Sequence, residues 1–335
     1  MTRPPTQRWR RRPRRRMLAT TAALATAAGV LAGLHLWLNT NAFGGSTLCG
    51  GAVATGEAEA VLTGPGRMSG RPGPRATTTD GDIGFDCVIE RGAAGLPGSK
   101  TKRLHLQGTR ERGDFAFTGA RWPDSSSVSF FPGGGVTSGR GWVQLPESCT
   151  DRQTGVVEAY AEADADPAKL VRLLTDTANR ISDRAGCAPS EPLTAPDRIA
   201  PAAPQRPATA GRVCGLPGFT LAAVLRETVQ DSGSTWSCGT AAGEGPEQAY
   251  ATFSATQDPA VIAGIRKSQG FTGQGFDATH TVTECSGKPT YFGMETGTRS
   301  SESLGTGGPA PRDLFTAFTR AAEATFGCAK PVETP

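Results

Sequence analysis

"DRAGCAPSEP" at residues 183–192 and "TFGCAKPVET" at residues 325–334 both place Gly-Cys-Ala after a helix-like stretch and follow it with proline. A glycine there suits the left-handed turn that ends a helix, and a proline beyond it cannot continue one. The first copy lies in the middle of the chain. The pattern therefore predicts that one folding unit closes near residue 188 and a second near residue 330.

The eight cysteines carry the same message. "LCGG" (48–51) answers "VCGL" (213–216), "FDC" (85–87) answers "WSC" (236–238), "ESC" (147–149) answers "EC" (284–285), and "GCA" (186–188) answers "GCA" (327–329). Four matches in the same order indicate an internal duplication. An even count in an exported chain reads as disulfides. The expected pairing within each set is first with second and third with fourth: Cys49 with Cys87, Cys149 with Cys187, Cys214 with Cys238 and Cys285 with Cys328. A first-to-fourth bond around a middle pair is the alternative. No CxxC occurs, and His105 and His280 lie at no ligand spacing from a cysteine, so neither a metal nor another cofactor is expected.

At 335 residues the chain has room for two domains. Its 35 basic and 31 acidic residues mislead, because eight arginines precede residue 17, leaving 27 basic residues beyond them. No basic groove or aromatic platform accompanies that cluster, which argues against nucleic acid. The uncharged run "MLATTAALATAAGVLAGLHLWL" (17–38) follows at once, and its 22 residues as a helix cover a ~30 Å hydrocarbon core. The arginines put residues 1–16 in the cytoplasm, and Trp37 suits the far interface. The expectation is a single-pass protein in the cell membrane, its partner the lipid bilayer. A cleaved signal peptide, with Thr40 and Ala42 before Phe43, is the alternative, and it also exports the remainder.

The resulting division is a basic segment 1–16, a transmembrane helix 17–38, a tether 39–47, a first repeat 48–188, a linker 189–212 with six prolines, a second repeat 213–330 and a tail 331–335. The expected class is α+β: an N-terminal transmembrane helix, then two tandem related domains, each an antiparallel sheet with packed helices and two disulfides. Helices are expected at "TGEAEAVL" and "TLAAVLRETV", capped by Thr55 and Thr220. Closing helices follow Asp166-Pro167 and carry Phe315, Phe318, Ala322 and Phe326, and an extra helix starts at Asp258. The intervening strands alternate apolar with polar residues, as sheets with one wet face do.

The chain contains no Gly-x-Ser-x-Gly turn, Walker A loop or GxGxxG turn, so no enzyme is expected. Asp80 with Asp82, and Glu158 with Glu162 and Asp164, read as solvated faces. Trp122 and Trp142 flank the glycine-rich hairpin "FFPGGGVTSGRGW" and are the candidate binding residues, a carbohydrate or peptide platform unless they simply pack.

"CGLPGFTLAAVL" (214–225), the aromatic-x-Cys "WSC" and the helix closing on Gly-Cys resemble the disulfide-paired domains of unknown function in membrane-anchored and secreted actinobacterial envelope proteins. More distantly they are similar to extracellular sensor domains of receptor kinases. The resemblance implies two non-catalytic extracytoplasmic domains that bind a ligand, a wall component or a protein. A hydrolase with an unrecognised site and a structural or assembly factor are the alternatives.

Overall fold

Strands between residues 67 and 161 build a first antiparallel sheet, and those between 206 and 296 build a second. The computed structural model describes residues 12–41, 44–72, 83–92, 101–119, 121–222, 224–245, 248–297 and 310–328. Among them the chain runs α1 (Arg12–Asn39), β1 (Thr47–Leu48), β2 (Val53–Ala54), α2 (Thr55–Val61), β3 (Arg67–Pro72), β4 (Phe85–Gly92) and β5 (Lys102–Glu111). Then come β6 (Ser129–Phe131), β7 (Gly134–Val136), β8 (Arg140–Gln144), β9 (Thr154–Ala161) and α3 (Pro167–Arg184). The second half has β10 (Arg206–Pro207), β11 (Arg226–Asp231), β12 (Thr235–Ala241), β13 (Ala249–Thr256), α4 (Pro259–Lys267), β14 (Gly275–Asp277), β15 (His280–Cys285), β16 (Lys288–Thr296) and α5 (Pro311–Phe326). It is a mixed helix and sheet protein with five α-helices, antiparallel sheets and four disulfides.

The sheets are ordered β3-β4-β5-β9-β8-β7-β6 and β10-β11-β12-β13-β16-β15-β14. Superposing β4, which carries Cys87, on β12, which carries Cys238, makes six strands of each coincide in order. In both halves the strand that returns to the sheet centre, β9 or β16, leads on to the closing helix. The disulfides are Cys49–Cys87, Cys149–Cys187, Cys214–Cys238 and Cys285–Cys328, first with second and third with fourth.

Each sheet covers its outer face with its own helices. Asp166 caps α3, accepting from Ala168 N at 3.0 Å, and Leu170, Leu174, Thr177 and Ile181 are buried on one stripe against Ile89, Leu104, Leu106 and Val157. In the second half Phe318 of α5 meets Phe219, Phe253, Phe292 and Trp236 at ring separations of 4.9 to 6.2 Å. Burying side chains of this size contributes about 1.5–3 kcal/mol each.

The inner faces are not wet, contrary to expectation. Phe130, Trp142 and Val156 alternate with Phe131, Val143 and Val157, so successive residues of β6, β8 and β9 enter different cores. The inner set meets Val261, Ile262 and Ile265 of α4 and Tyr291 of β16 in a third core shared by both halves. On the second sheet Ser237, Ser254 and Thr256 are also buried there. Their polarity is used across the seam: Ser125 Oγ and Ser254 Oγ lie 2.8 Å apart, and Ser237 Oγ donates to Ser125 O at 2.8 Å. A polar alternation therefore marked hydrogen bonding within the protein rather than exposure to water.

Further differences have local causes. Residues 226–229, expected as the end of a helix from Thr220, lie in β11, because pairing with β12 and a bond from Cys214 N to the buried Glu227 carboxylate override helical propensity. Thr55 does not cap α2; Ala54 holds the cap position and the Thr55 hydroxyl donates to Gly45 O. The stretch 189–212 has no buried residue but is held to both sheets at intervals. Leu193 exchanges two 2.9 Å hydrogen bonds with the Asn179 side chain, Ile199 packs on the first core, and Arg206–Pro207 pair with β11.

The run expected to cross the membrane lies in α1, a helix of 28 residues. Among the described residues, however, no helix is long and apolar enough to cross a membrane. Leu24, Val30, Leu31, Leu34 and Leu36 of α1 are exposed. Residues 1–11 and 329–335 lie outside the described set, as do Asp80 and Asp82.

Candidate functional site

The seam between the halves gathers the chemistry. Its core holds Trp122 and Trp142, 5% and 2% exposed, with ring centroids 5.3 Å apart. Both expected platform residues are therefore packing residues. Gly135 makes room for the Trp142 ring: a Cβ there would lie 2.5 Å from its Cζ2 atom. The guanidinium groups of Arg121 and Arg140 cover Trp122 at 4.6 and 4.7 Å from its ring centroid.

Those arginines also neutralise Glu158. This buried carboxylate accepts from Arg140 Nε at 2.6 Å, Gln107 Nε2 at 2.6 Å and Arg121 Nη2 at 3.1 Å. So clamped, the carboxylate fixes the two guanidinium groups over the Trp122 ring. Glu162 pairs at the surface with Arg103.

A second network crosses the seam. Asp114, fully buried, takes a bidentate pair from Arg112 (Nε to Oδ1 2.5 Å, Nη2 to Oδ2 2.8 Å) and a 3.3 Å hydrogen bond from the Tyr291 hydroxyl. Burial first, and the Asp114 charge second, raise the phenol well above its ordinary range, so it stays a donor. His280, whose ring stands 6.4 Å from Tyr291, points Nδ1 at Asp277 (2.8 Å) and Nε2 at Glu295 (3.1 Å). Burial is the largest single influence and disfavours the charged ring, but the bonds and charges of Glu295 and Asp277, with Asp114 beyond, raise its pKa. With both nitrogens taken by carboxylates of the second half, the ring is not free to act as a base.

Cys214, Glu227 and Cys238 lie close enough to resemble a metal-binding group. The two sulfurs are joined in a disulfide, and Glu227 accepts from Cys214 N at 2.6 Å and Arg206 Nε at 3.0 Å, so no ligand set is left.

Beside the seam core opens a cavity of about 490 Å³, walled by β8 and the 145–150 loop of the first half, by Glu191 to Thr194, and by the start of α4. Asp258 positions that helix: its Oδ1 accepts from Ala260 N at 2.9 Å and Val261 N at 3.2 Å, and its Oδ2 accepts from Gly133 N at 2.9 Å. Gln144 and Thr154 line the cavity, 4% and 1% exposed, and neither Gln144 Oε1 nor Thr154 Oγ1 has a hydrogen-bond partner. Sequence reasoning missed both residues, since a glutamine and a threonine in β-strand patterns carry no signal until the opposing half is in place. On the other side of α4 a second cavity, of about 980 Å³, is lined by Arg266, Lys267 and Lys288.

The chain matches no protein-family model, no curated protein and no solved structure.

Proposed function

We propose that this chain is an extracytoplasmic binding protein, held to the cell membrane by α1, in which two related disulfide-stapled domains enclose one non-catalytic ligand site at their seam. The observation that carries the reading is the seam cavity itself, with walls from both halves and the buried, unpartnered Gln144 oxygen on its lining. An unpaired buried acceptor costs about 1–3 kcal/mol, which a bound donor would recover.

Three features support the setting. All eight cysteines are paired, as in oxidising compartments outside the cytoplasm. The exposed aliphatic residues of α1 suit a lipid surround, and the arginines before residue 17 suit its cytoplasmic end. The coincident strand orders and cysteine positions fit a duplicated domain.

The test uses the full chain. Protease added to intact spheroplasts should digest the cysteine-bearing region. Native mass spectrometry of the purified protein should show a retained small molecule that is lost from Ala260→Trp, a substitution at an exposed position on the cavity wall. Protection from protease, or identical spectra for the two proteins, would overturn the proposal.

A further inference from the structure

The charged side chains that line the seam cavity are all anionic. Three carboxylates line it, from Glu147, Glu191 and Asp258, and no lysine, arginine or histidine does. Four of its wall residues, Pro132, Pro146, Pro192 and Pro259, have no backbone N–H to offer. The carboxamide oxygen of Gln144 and the hydroxyl oxygen of Thr154 are buried and unpartnered.

Resting on the reading of this cavity as the ligand site, we infer that its ligand is a small molecule presenting an ammonium group on an aliphatic body. An ammonium has three N–H donors and no acceptor, the complement of this lining. An anionic group would be buried beside carboxylates with no cation to meet it. Asp258 is held in place by its cap bonds, and Glu191 sits at the open side with no ion pair among the described residues. Glu147 is partly neutralised by Lys267 at 2.9 Å, so the charge of the site rests on the other two. Phe131, Val143, Leu145 and Leu193 supply the apolar wall for the body of the ligand. The volume lies within the usual range for small-molecule sites.

The neighbouring cavity provides an internal contrast. Its basic lining favours anions, and Ala260 is not part of it, so Ala260→Trp separates binding at the two places.

Isothermal titration of the full chain with 1,5-diaminopentane and with glutarate, which share a five-carbon chain and differ in charge, tests the inference. Diaminopentane should bind, Ala260→Trp should abolish that binding, and Gln144→Leu and Thr154→Val should each weaken it by about tenfold. Near-UV circular dichroism shows whether the two buried variants keep the native fold, and Thr154→Val keeps side-chain shape if Gln144→Leu does not fold. Glutarate binding that Ala260→Trp blocks would overturn the inference. So would diaminopentane binding indifferent to Ala260→Trp, or no diaminopentane binding at about 10 mM. If native mass spectrometry still shows a retained molecule that Ala260→Trp removes, the site stands and only the ligand class fails.

Discussion

The hydroxyl of Tyr291 donates a 3.3 Å hydrogen bond to the carboxylate of Asp114, 177 residues earlier in the chain, and both groups are buried. The bond ties β16 of one half to the segment that follows β5 of the other. Removing the hydroxyl with Tyr291→Phe keeps the ring and should cost about 1–2 kcal/mol. Asp114→Ala also removes the partner of the half-exposed Arg112 guanidinium and should cost more, about 2–3 kcal/mol. Urea midpoints of the two variants check the order.

Stability should depend on pH through His280 and Asp277. The raised histidine pKa means that its contribution is fully present below its unfolded value of about 6.5 and is lost as pH rises through the higher folded value. Asp277 is also desolvated, but bonds from Thr279 N and His280 outweigh this and lower its pKa. Its contribution is present above about 3.9 and is lost as pH falls through the lower folded value. Urea midpoints should therefore decline on the alkaline side of about pH 6.5, and His280→Gln should remove that decline.

Gly264 lies within α4, where alanine ordinarily stabilises by about 0.5–1 kcal/mol. A Cβ there would lie 2.5 Å from Thr154 Oγ1, so Gly264→Ala should instead destabilise, by about 1–3 kcal/mol. Adding Thr154→Ala should restore most of the loss, since that hydroxyl has no partner to forfeit. A thermal double-mutant cycle reads the coupling; additivity would mean that the seam yields at this point.

The disulfides should differ modestly in their contribution. Cys285–Cys328 closes a separation of 43 residues and Cys214–Cys238 one of 24, so loop entropy favours the former by about 0.5 kcal/mol within contributions of about 2–4 each. Paired Cys→Ser variants, unfolded in urea under oxidising conditions, provide the comparison.

Much of the fold was legible in particular residues. Asp166-Pro167 and Asp258-Pro259 announced α3 and α4, because an acceptor followed by a fixed φ is a local device. Short cysteine spacings favoured the pairing that formed over the first-to-fourth alternative, and alternation located the strands from Phe85 to Ala161. The helix expected at "TLAAVLRETV" failed because its propensity competes with a ladder to β12, and the partner strand is not visible in a local window.

The site was far less legible. Trp142, Ser237, Ser254, His280 and Gln144 sit on strand faces that local pattern assigns to solvent or leaves open. Only the opposing half decides that they are buried.

The sequence by itself determined the order in which the cysteines pair and which helices close the sheets. Those features depend on neighbours in the chain: caps, glycine turns and periodicity. The tertiary structure alone decided that the halves share a third core, that the proline-rich stretch is attached to both sheets, and that a cavity with carboxylates on its walls lies between them. These depend on contacts between residues more than a hundred positions apart, such as Tyr291 with Asp114 and Ser125 with Ser254, whose side chains acquire a partner only once both sheets are folded.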